Sequence, residues 1–280
     1  MEFLQPTTLQ EALVLLEQHP DYTILAGGTD VVVQRREGKI NPVGFLDVTR
    51  IPELREIRGG ETVFVGAATT CAEIENSSVL RAACPVLCAA AASVGSPQIR
   101  SKATVGGNVA NASPAADQVP ALVAAGAVAL VASTKGTRRV EITELVQGMN
   151  DCALEASEMI VGFEMPAFAE NTRWNFDKIG RRNALSISRM NGVFICDMDG
   201  DRMTNVRLCI GAATNRPQRF WAAEELLEGK LAETELFKQA GKAVMETILK
   251  ETGLRASSQY KLPVSADFAA RLMENAVGSV

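Results

Sequence analysis

Two glycine pairs in this sequence are each followed by small polar side chains. Gly27-Gly28 precedes Thr29 and Asp30 in the stretch TILAGGTDVVVQ, and Gly106-Gly107 precedes Asn108. Glycine lets backbone N–H groups come close to a ligand, and successive N–H groups in such turns form a concave site for anions. The two turns lie about 80 residues apart, and as a pair they suit a ligand that carries two phosphates and a sugar.

Each turn alone also has a simpler interpretation, a tight connection between a strand and a helix. AGGTD does not match the GxGxxG dinucleotide fingerprint, and neither turn matches the GxxxxGK(S/T) phosphate loop. Asn111, Ser113 and Asp117 follow the second turn, and an acidic side chain there could accept from a ribose hydroxyl. For a single turn both interpretations stay open, whereas the pair favours a ligand.

The other candidate groups suggest neither a nucleophile nor a metal site. The single histidine, His19, lies beside Pro20 at the end of a predicted helix, where a surface position is favoured over a catalytic one. The six cysteines include no CxxC pair, and Cys84 and Cys88 are more typical of buried apolar positions than of metal ligands. DMDGDR (197–202) is typical of a hairpin turn. We therefore predict no catalytic side chain and no metal ligand.

Composition is that of an ordinary globular protein, with 280 residues, 47% hydrophobic and 22% charged. The 28 basic and 33 acidic side chains give a net charge of −5, which argues against nucleic acid as a partner. No long uncharged apolar run predicts a membrane span. The N-terminal MEFLQPTTLQEAL lacks a secretory pattern, so we expect a cytoplasmic protein with reduced cysteines.

The elements that must position the two turns alternate between strand and helix. Thr8 with Glu11 predicts a capping box that opens a helix over about 8–18, and Pro20 ends that helix. Strand patterns are found at YTILAGG, at 43–49, at 62–70 and at 159–166, and VALVAST (128–134) and RRVEITELV (138–146) are predicted as strands or as a strand followed by a turn. Residues 71–94 predict two helical pieces, so the N-terminal part is α/β.

The pattern changes after residues 167–175, which lose periodicity and are interpreted as a linker. The stretch from Ile187 to Thr214 alternates between apolar and polar residues, and DGD at 199–201 predicts a hairpin. Helices are predicted near 221–229, 233–251 and 264–277. This order predicts an antiparallel sheet with helices, an α+β C-terminal part.

Several stretches resemble the FAD-binding subunit of the molybdenum hydroxylases, the family of xanthine, nicotinate and carbon monoxide dehydrogenases. They are LAGGTD (25–30), PQIRSKATVGGNVANASPAAD (97–117), KIGRRNALSISRMN (178–191) and the closing RASSQYKLPVSADFAARLMENAV (255–277). The resemblance covers nearly the whole chain and is strongest to the xanthine dehydrogenase type. It implies an α+β fold with two α/β FAD-binding subdomains of the vanillyl-alcohol-oxidase type, residues 1–55 and 56–168. A C-terminal α+β domain, an antiparallel sheet plus helices, would follow over 172–280.

The resemblance also implies where FAD lies. The first turn would wrap the pyrophosphate with Ile24, Leu25, Ala26, Gly27, Gly28, Thr29, Asp30 and Val31. The second turn would contribute Thr104, Val105, Gly106, Gly107 and Asn108. Asp117 takes the acidic position at the flavin nucleotide, Ile160 an apolar contact to the flavin, and Lys178 a basic position at the isoalloxazine end. Ser101 departs from the family's usual Asn, and Leu185-Ser186-Ile187-Ser188 lacks the family's usual Asp.

By this resemblance the chain is an oxidoreductase subunit without a catalytic side chain of its own. A molybdopterin-binding large subunit would oxidise the substrate, and a small subunit with two 2Fe–2S clusters would relay electrons to FAD here. NAD+ is the expected acceptor. Two alternatives stay open: a stand-alone FAD-dependent oxidoreductase of the same fold, such as a UDP-sugar enoylpyruvate reductase, and a non-catalytic nucleotide-binding assembly protein. Flavin absorbance would exclude the last, and co-purifying subunits would separate the first two.

Overall fold

The computed structural model describes residues 2–182 and 185–278. It divides into two compact units, of which the first is Met1–Ser113 with Gly126–Ala167 and the second is Pro114–Ala125 with Phe168–Val280. The segment Pro114–Ala125, which follows the second glycine turn, therefore groups with the C-terminal unit. The limits 1–55, 56–168 and 172–280 inferred from the resemblance stay a prediction. Asn183 and Ala184, inside the third resembling stretch, lie outside the described residues.

Strands are numbered in chain order. They are β1 Glu2–Leu4, β2 Thr23–Leu25, β3 Gly44–Asp47, β4 Ile57–Arg58, β5 Thr62–Gly66, β6 Val128–Ser133, β7 Gly136–Glu141, β8 Val146–Gly148, β9 Asp151–Cys152, β10 Met159–Pro166, β11 Thr172–Ile179, β12 Met190–Asp199, β13 Arg202–Gly211 and β14 Gln218–Arg219.

Helices follow the same convention, with one further 3-10 turn at Pro52–Arg55. They are α1 Leu9–Gln18, α2 Val31–Arg36, α3 Cys71–Asn76, α4 Ser78–Ala83, α5 Pro85–Ala92, α6 Pro97–Arg100, α7 Val105–Ala110, α8 Gln118–Ala124, α9 Ile142–Leu145, α10 Trp221–Leu227, α11 Thr234–Thr252 and α12 Ser258–Val277. None of the helices in the described ranges is long and apolar enough to cross a membrane.

The first unit begins with a small parallel sheet in the order β1-β3-β2. The helix α1 that joins β1 to β2 is capped by Thr8, whose hydroxyl accepts from the Glu11 N–H at 3.2 Å. Only this half of the predicted capping box forms, because Glu11 Oε2 accepts from the Thr7 N–H at 2.8 Å and not from that of Thr8. Its apolar face, Ala12, Leu13 and Leu16, is buried in a core with residues of β3, β6 and β10. This burial fixes the end of β2, where the first glycine turn begins.

A second sheet in the first unit is antiparallel, in the order β4-β5-β10-β6-β7. Its central strand β10 is buried along most of its length, and its pairing with β6 slips by one residue between Ile160 and Gly162. Such a bulge bends the strand and re-aims its neighbours. The carbonyl of Val161, the extra residue, accepts from the Ala67 N–H at 3.1 Å.

The second unit is built on an antiparallel sheet in the order β11-β12-β13-β14. Helices α10, α11 and α12 bury an apolar core against it, with Phe194, Phe220, Phe237 and Phe268 among its large side chains. Helix α8 is buried at all seven positions and packs on β12, β13 and β14. The antiparallel sheet with helices predicted for the C-terminal part is therefore confirmed.

Most of the predicted elements are confirmed, and several details were wrong. Residues 71–94 form three helices, α3, α4 and α5, where two helical pieces were predicted. The strand predicted over 138–146 ends at Glu141, and Ile142–Leu145 forms the short helix α9. The hairpin turn at DGD joins β12 to β13, with Gly200 at a φ of +57°. The predicted linker 167–175 was wrong from Thr172 onward, because those residues form β11 and pair with β12 from Thr172↔Asp197. The last helix starts at Ser258, six residues before its predicted start at 264, and holds Pro263 near its N-terminal end.

Candidate functional site

The first glycine turn connects the end of β2 to the start of α2. Gly28 has a φ of +70°, a conformation that residues with a Cβ adopt only with strain. The carbonyls of Gly28 and Asp30 accept from Val32 and Gln34, which starts the helix. Within the described residues, no acceptor lies against the backbone N–H groups of Gly27, Gly28, Thr29 and Asp30. The turn thus presents four neighbouring donors, a suitable arrangement for an anion.

The second glycine turn is the start of α7, and its backbone donors are used inside the protein. The N–H of Val105 donates to Thr69 O at 3.1 Å, and that of Gly106 donates to Ala67 O at 2.8 Å. Gly107 N–H donates to the Thr104 hydroxyl at 3.1 Å, which caps the helix. Because these N–H groups are used, the second turn can contact a ligand only by van der Waals packing against its backbone. Gly107 is the exposed position of the turn where this can happen.

The two turns are in contact within the first unit, and this contact explains why position 27 is a glycine. A Cβ added to Gly27 would lie 1.9 Å from Lys102 O, in the backbone just before the second turn. A Cβ on Gly106 would lie 2.7 Å from both Cβ and O of Ala67. At Gly107 the nearest atom would be only the Thr104 Oγ1, at 2.9 Å. Gly27 and Gly106 are thus required by packing, and Gly107 is the glycine that packing explains least.

A side-chain network also joins the two turns. Asn111, at the C-terminal end of α7, donates to Asp30 Oδ2 at 3.2 Å, and its own Oδ1 accepts from Gln34 Nε2 at 3.1 Å. Asp30 precedes α2 and Gln34 lies within it. Sequence reasoning named Asn111 only as a possible ligand donor and did not consider Gln34, because nothing local to either residue indicates the contact.

Asp117 and Lys178, both predicted to line the FAD site, form an ion pair in the second unit. Lys178 Nζ lies 2.5 Å from Asp117 Oδ2, with side chains 15% and 8% exposed. The other carboxylate oxygen, Oδ1, accepts from Ser188 Oγ at 2.6 Å and from Asn191 Nδ2 at 2.7 Å. A buried carboxylate needs such partners. In this arrangement Asp117 holds Lys178 in place, a role that sequence reasoning missed together with Ser188 and Asn191.

Ile160, predicted to contact the flavin, lies on β10 next to the bulge and is only 6% exposed. Its strand is connected to the second turn through one residue. Ala67 donates to Val161 O at 3.1 Å, and Ala67 O accepts from Gly106 N–H at 2.8 Å. Ile160 is therefore adjacent in sequence to Val161, which is linked to Gly106 of the second turn by the two hydrogen bonds of Ala67.

The cysteines have the properties of buried apolar residues. Burial raises the pKa of Cys88 to about 11, and raises the pKa of Cys196 to about 12. Thiols with such pKa values stay protonated at neutral pH, whereas a metal ligand is a thiolate. In the ranges 2–182 and 185–278, no group of three or more His, Cys, Asp or Glu side chains is placed to hold a metal ion.

A family model described as the FAD binding domain in molybdopterin dehydrogenase matches residues 1–168, more than half of the chain. The chain belongs to the FAD-binding subunits of the molybdenum hydroxylases. The family model of the CO dehydrogenase flavoprotein C-terminal domain matches residues 175–276. The resemblance inferred from the sequence is thereby confirmed, and so is the α+β fold.

Relatives in this molybdenum hydroxylase family match along almost their whole length. The chain is 29% identical over 275 residues to the xanthine dehydrogenase FAD-binding subunit of Escherichia coli O157:H7, covering 97% of this chain and 94% of that one. It is 33% identical over 267 residues to the nicotinate dehydrogenase FAD-subunit of Eubacterium barkeri, covering 93% and 90%. A solved carbon monoxide dehydrogenase from Hydrogenophaga pseudoflava superposes with a TM-score of 0.93 at 28% identity, covering 99% and 96%.

FAD is the cofactor of this family of oxidoreductase subunits, and the first turn fits it. Gly27, Gly28, Thr29 and Asp30 offer four N–H groups without an acceptor among the described residues, which suit a pyrophosphate. The assignment of individual residues of this chain to FAD stays a prediction.

Proposed function

We propose that this chain receives electrons from the iron–sulfur clusters of a partner subunit and passes them through FAD to NAD+. The observation that carries the proposal is the cluster of four N–H groups in the first turn. An anion held by backbone dipoles needs no arginine, which agrees with a site whose loops contain few cations. FAD can take electrons singly and release them in pairs, and this is the chemistry that it supplies when bound.

In this proposal the residues of the chain bind and orient FAD. Gly27, Gly28, Thr29 and Asp30 donate to the pyrophosphate from their backbone, and the rest of Ile24–Val31 shapes the turn around it. Residues 104–108 form the second contact through the exposed surface at Gly107. Ile160 lends an apolar surface at β10. None of these groups needs to transfer a proton, so the chain requires no nucleophile of its own.

Lys178 would supply positive charge at the isoalloxazine end, where an ammonium group stabilises a reduced, more negative ring. Its position depends on Asp117, whose Oδ2 lies 2.5 Å from Nζ. We therefore propose for Asp117 a positioning role through Lys178 in place of the ribose contact that the sequence suggested, since both of its carboxylate oxygens have partners inside the protein. Ser188 and Asn191 complete the carboxylate's hydrogen bonds.

We further propose two partners, a molybdopterin-binding large subunit and a small subunit with two 2Fe–2S clusters. The relatives are named as subunits of dehydrogenases, among them the medium chain of a carbon monoxide dehydrogenase. This chain's own cysteines are buried or half-buried, and burial raises the pKa of Cys88, Cys152, Cys196 and Cys209. We therefore propose that the clusters lie in another chain. Thiols of this kind suit a reducing compartment, and we place the complex in the cytoplasm.

The test is native purification of the chain with its own tag, followed by metal analysis and flavin absorbance. We expect a yellow complex in which molybdenum and iron co-elute with two further chains, and in which substrate reduction yields NADH from NAD+. A yellow single chain that turns over NADH without partners would show a stand-alone oxidoreductase instead. A colourless chain would show a nucleotide-binding assembly protein, and reduction of only quinone, ferredoxin or oxygen would exclude NAD+.

A further inference from the structure

The side-chain amide of Asn111, at the end of α7, connects the two glycine turns without a hydrogen bond to either Gly-Gly pair. Its Nδ2 donates to Asp30 Oδ2 at 3.2 Å, across 81 residues of sequence, and its Oδ1 accepts from Gln34 Nε2 at 3.1 Å, across 77 residues. Both ends of the amide are therefore used, and both partners belong to the start of α2. Asp30 is the residue before α2, and Gln34 is its fourth residue.

Helix α2 has no buried face. None of its residues is buried, and Val32 and Val33 are each 47% exposed. A short helix without a buried face gains almost nothing from packing, and six residues are too few for a stable helix on their own. The hydrogen bonds of Asn111 therefore connect α2, and with it the turn from which α2 emerges, to the end of α7.

The turn held in this way is the one with the four available N–H groups. Gly27 already packs on the Lys102 carbonyl at one end of the turn, and Asn111 holds Asp30 at the other end. Donors that keep their positions before a ligand arrives bind it more tightly, because less conformational entropy is lost on binding. The direction in which the four N–H groups point therefore depends on Asn111.

We infer that Asn111 is a positioning residue for the cofactor, which together with Gln34 and Asp30 keeps the first turn ordered for FAD binding. The inference rests on the proposed role of the first turn. It assigns a role to Gln34 and Asn111, two residues that are not among the predicted FAD contacts. The side chains act through α2 and do not have to contact FAD.

The test measures the dissociation constant of FAD for the full chain, freed of flavin and titrated while flavin fluorescence is followed. Asn111→Asp sets two carboxylates against each other at positions 30 and 111, and we expect FAD to bind about tenfold more weakly, since like charges this close repel each other. Asn76→Asp is the matched control, because Asn76 donates only to its own helix at Ala72 O. We expect it to bind FAD as the unchanged chain does.

The decisive comparison adds Asp30→Asn to Asn111→Asp. In the double variant the new amide at position 30 donates to the new carboxylate at position 111, and Gln34 still donates to that carboxylate. Both hydrogen bonds are thereby restored, with donor and acceptor exchanged between positions 30 and 111. Asn111→Asp should therefore cost about tenfold in the original background and less than twofold in the Asp30→Asn background. A cost that is equal in the two backgrounds would overturn the inference, and so would an unchanged dissociation constant in Asn111→Asp.

A second cycle avoids Asp30, which is itself a predicted FAD residue. Gln34→Ala removes one hydrogen bond and should weaken FAD binding by about fivefold. Asn111→Ala removes that bond and the bond to Asp30 and should weaken binding more, and the two changes together should cost clearly less than the product of the two. Purely additive effects would contradict the inference. Failure of the proposed electron transfer gives a different result, because it would show as missing partner subunits or absent NADH formation while the unchanged chain still binds FAD.

Discussion

Lys178 Nζ and Asp117 Oδ2 lie 2.5 Å apart although 61 residues separate them in the sequence. The pair is nearly enclosed, with exposed fractions of 15% and 8%. Two opposite charges in such a position are stable only as a pair, because either one alone would be a buried ion without compensation. The contact therefore makes the placement of Lys178 depend on Asp117, and any variant of one residue changes the other.

The first prediction concerns this ion pair. Asp117→Asn removes the charge and keeps the size, and we expect the free energy of unfolding to fall by about 3 kcal/mol, as for breaking one side of a buried pair. Urea unfolding at neutral pH measures it. Asp177→Asn is the matched control, since Asp177 pairs with Arg271 on the surface at 2.8 Å and such pairs contribute about 1 kcal/mol or less. Equal losses in the two variants would contradict the assigned role of Asp117.

A second prediction concerns Gly27. Alanine there would place its Cβ 1.9 Å from Lys102 O, a backbone atom that cannot move without displacing the second turn. We expect Gly27→Ala to lose about 2 kcal/mol of stability, as overpacked sites do, and to lower the melting temperature of the chain even without FAD. Gly148→Ala in the same unit is the control, because its nearest neighbour would be Asp151 Cβ at an ordinary 3.7 Å.

Gly107 should behave in the opposite way to Gly27. A Cβ at this exposed helical position would have only the Thr104 hydroxyl, at 2.9 Å, within 4 Å outside the backbone of its own helix. The flavin-free Gly107→Val chain should therefore keep its stability to within about 1 kcal/mol. If FAD approaches the backbone here, the side chain should abolish FAD retention. Flavin absorbance after gel filtration measures retention, and Ala110→Val, at an exposed position of the same helix, serves as control. Full flavin content in Gly107→Val would remove the second turn from the site.

The thiols give a prediction about pH. Burial raises the pKa of Cys196 from 9.0 to about 12, and that of Cys88 to about 11. Alkylation needs the thiolate, whose fraction at pH 8 falls by about a thousandfold for a shift of about three pH units. Iodoacetamide at pH 8 should therefore leave both residues unlabelled in the folded chain, with labelling rising only as the pH approaches their raised pKa values. Mass spectrometry reads the sites, and the chain unfolded in guanidinium, where both should react, is the control.

The sequence was informative where a local requirement chooses the residue type. Thr8 with Glu11 located the start of α1, and Gly200 located the hairpin, because capping and a positive φ are properties of a few neighbouring residues. The glycine pairs were located for the same reason. The sequence pattern could not distinguish Gly27, which is required by its contact with Lys102, from Gly107, which is open to a ligand. Both are glycines of a Gly-Gly pair, and the sequence does not show what lies beside them.

The side-chain contacts of the site and strand β11 could not be predicted, because they depend on residues that are distant in the sequence. Asp117 receives hydrogen bonds from Ser188 and Asn191, which lie 71 and 74 residues further on, and Asn111 reaches back 81 residues to Asp30. No spacing rule links such positions. Strand β11 was missed for a related reason, because TRWNFDKI has a weak strand pattern and is held by its pairing with β12 over eight positions.

Helix α8 belongs to the second unit although it is synthesised well before the rest of that unit. All seven of its residues are buried, and the strands on which it packs begin only at Met190. During translation it therefore leaves the ribosome with its apolar surface uncovered, and it must wait for most of the remaining chain before it can dock. A fragment that ends at residue 168 would keep this apolar helix without the strands that cover it, so this fragment expressed alone should aggregate.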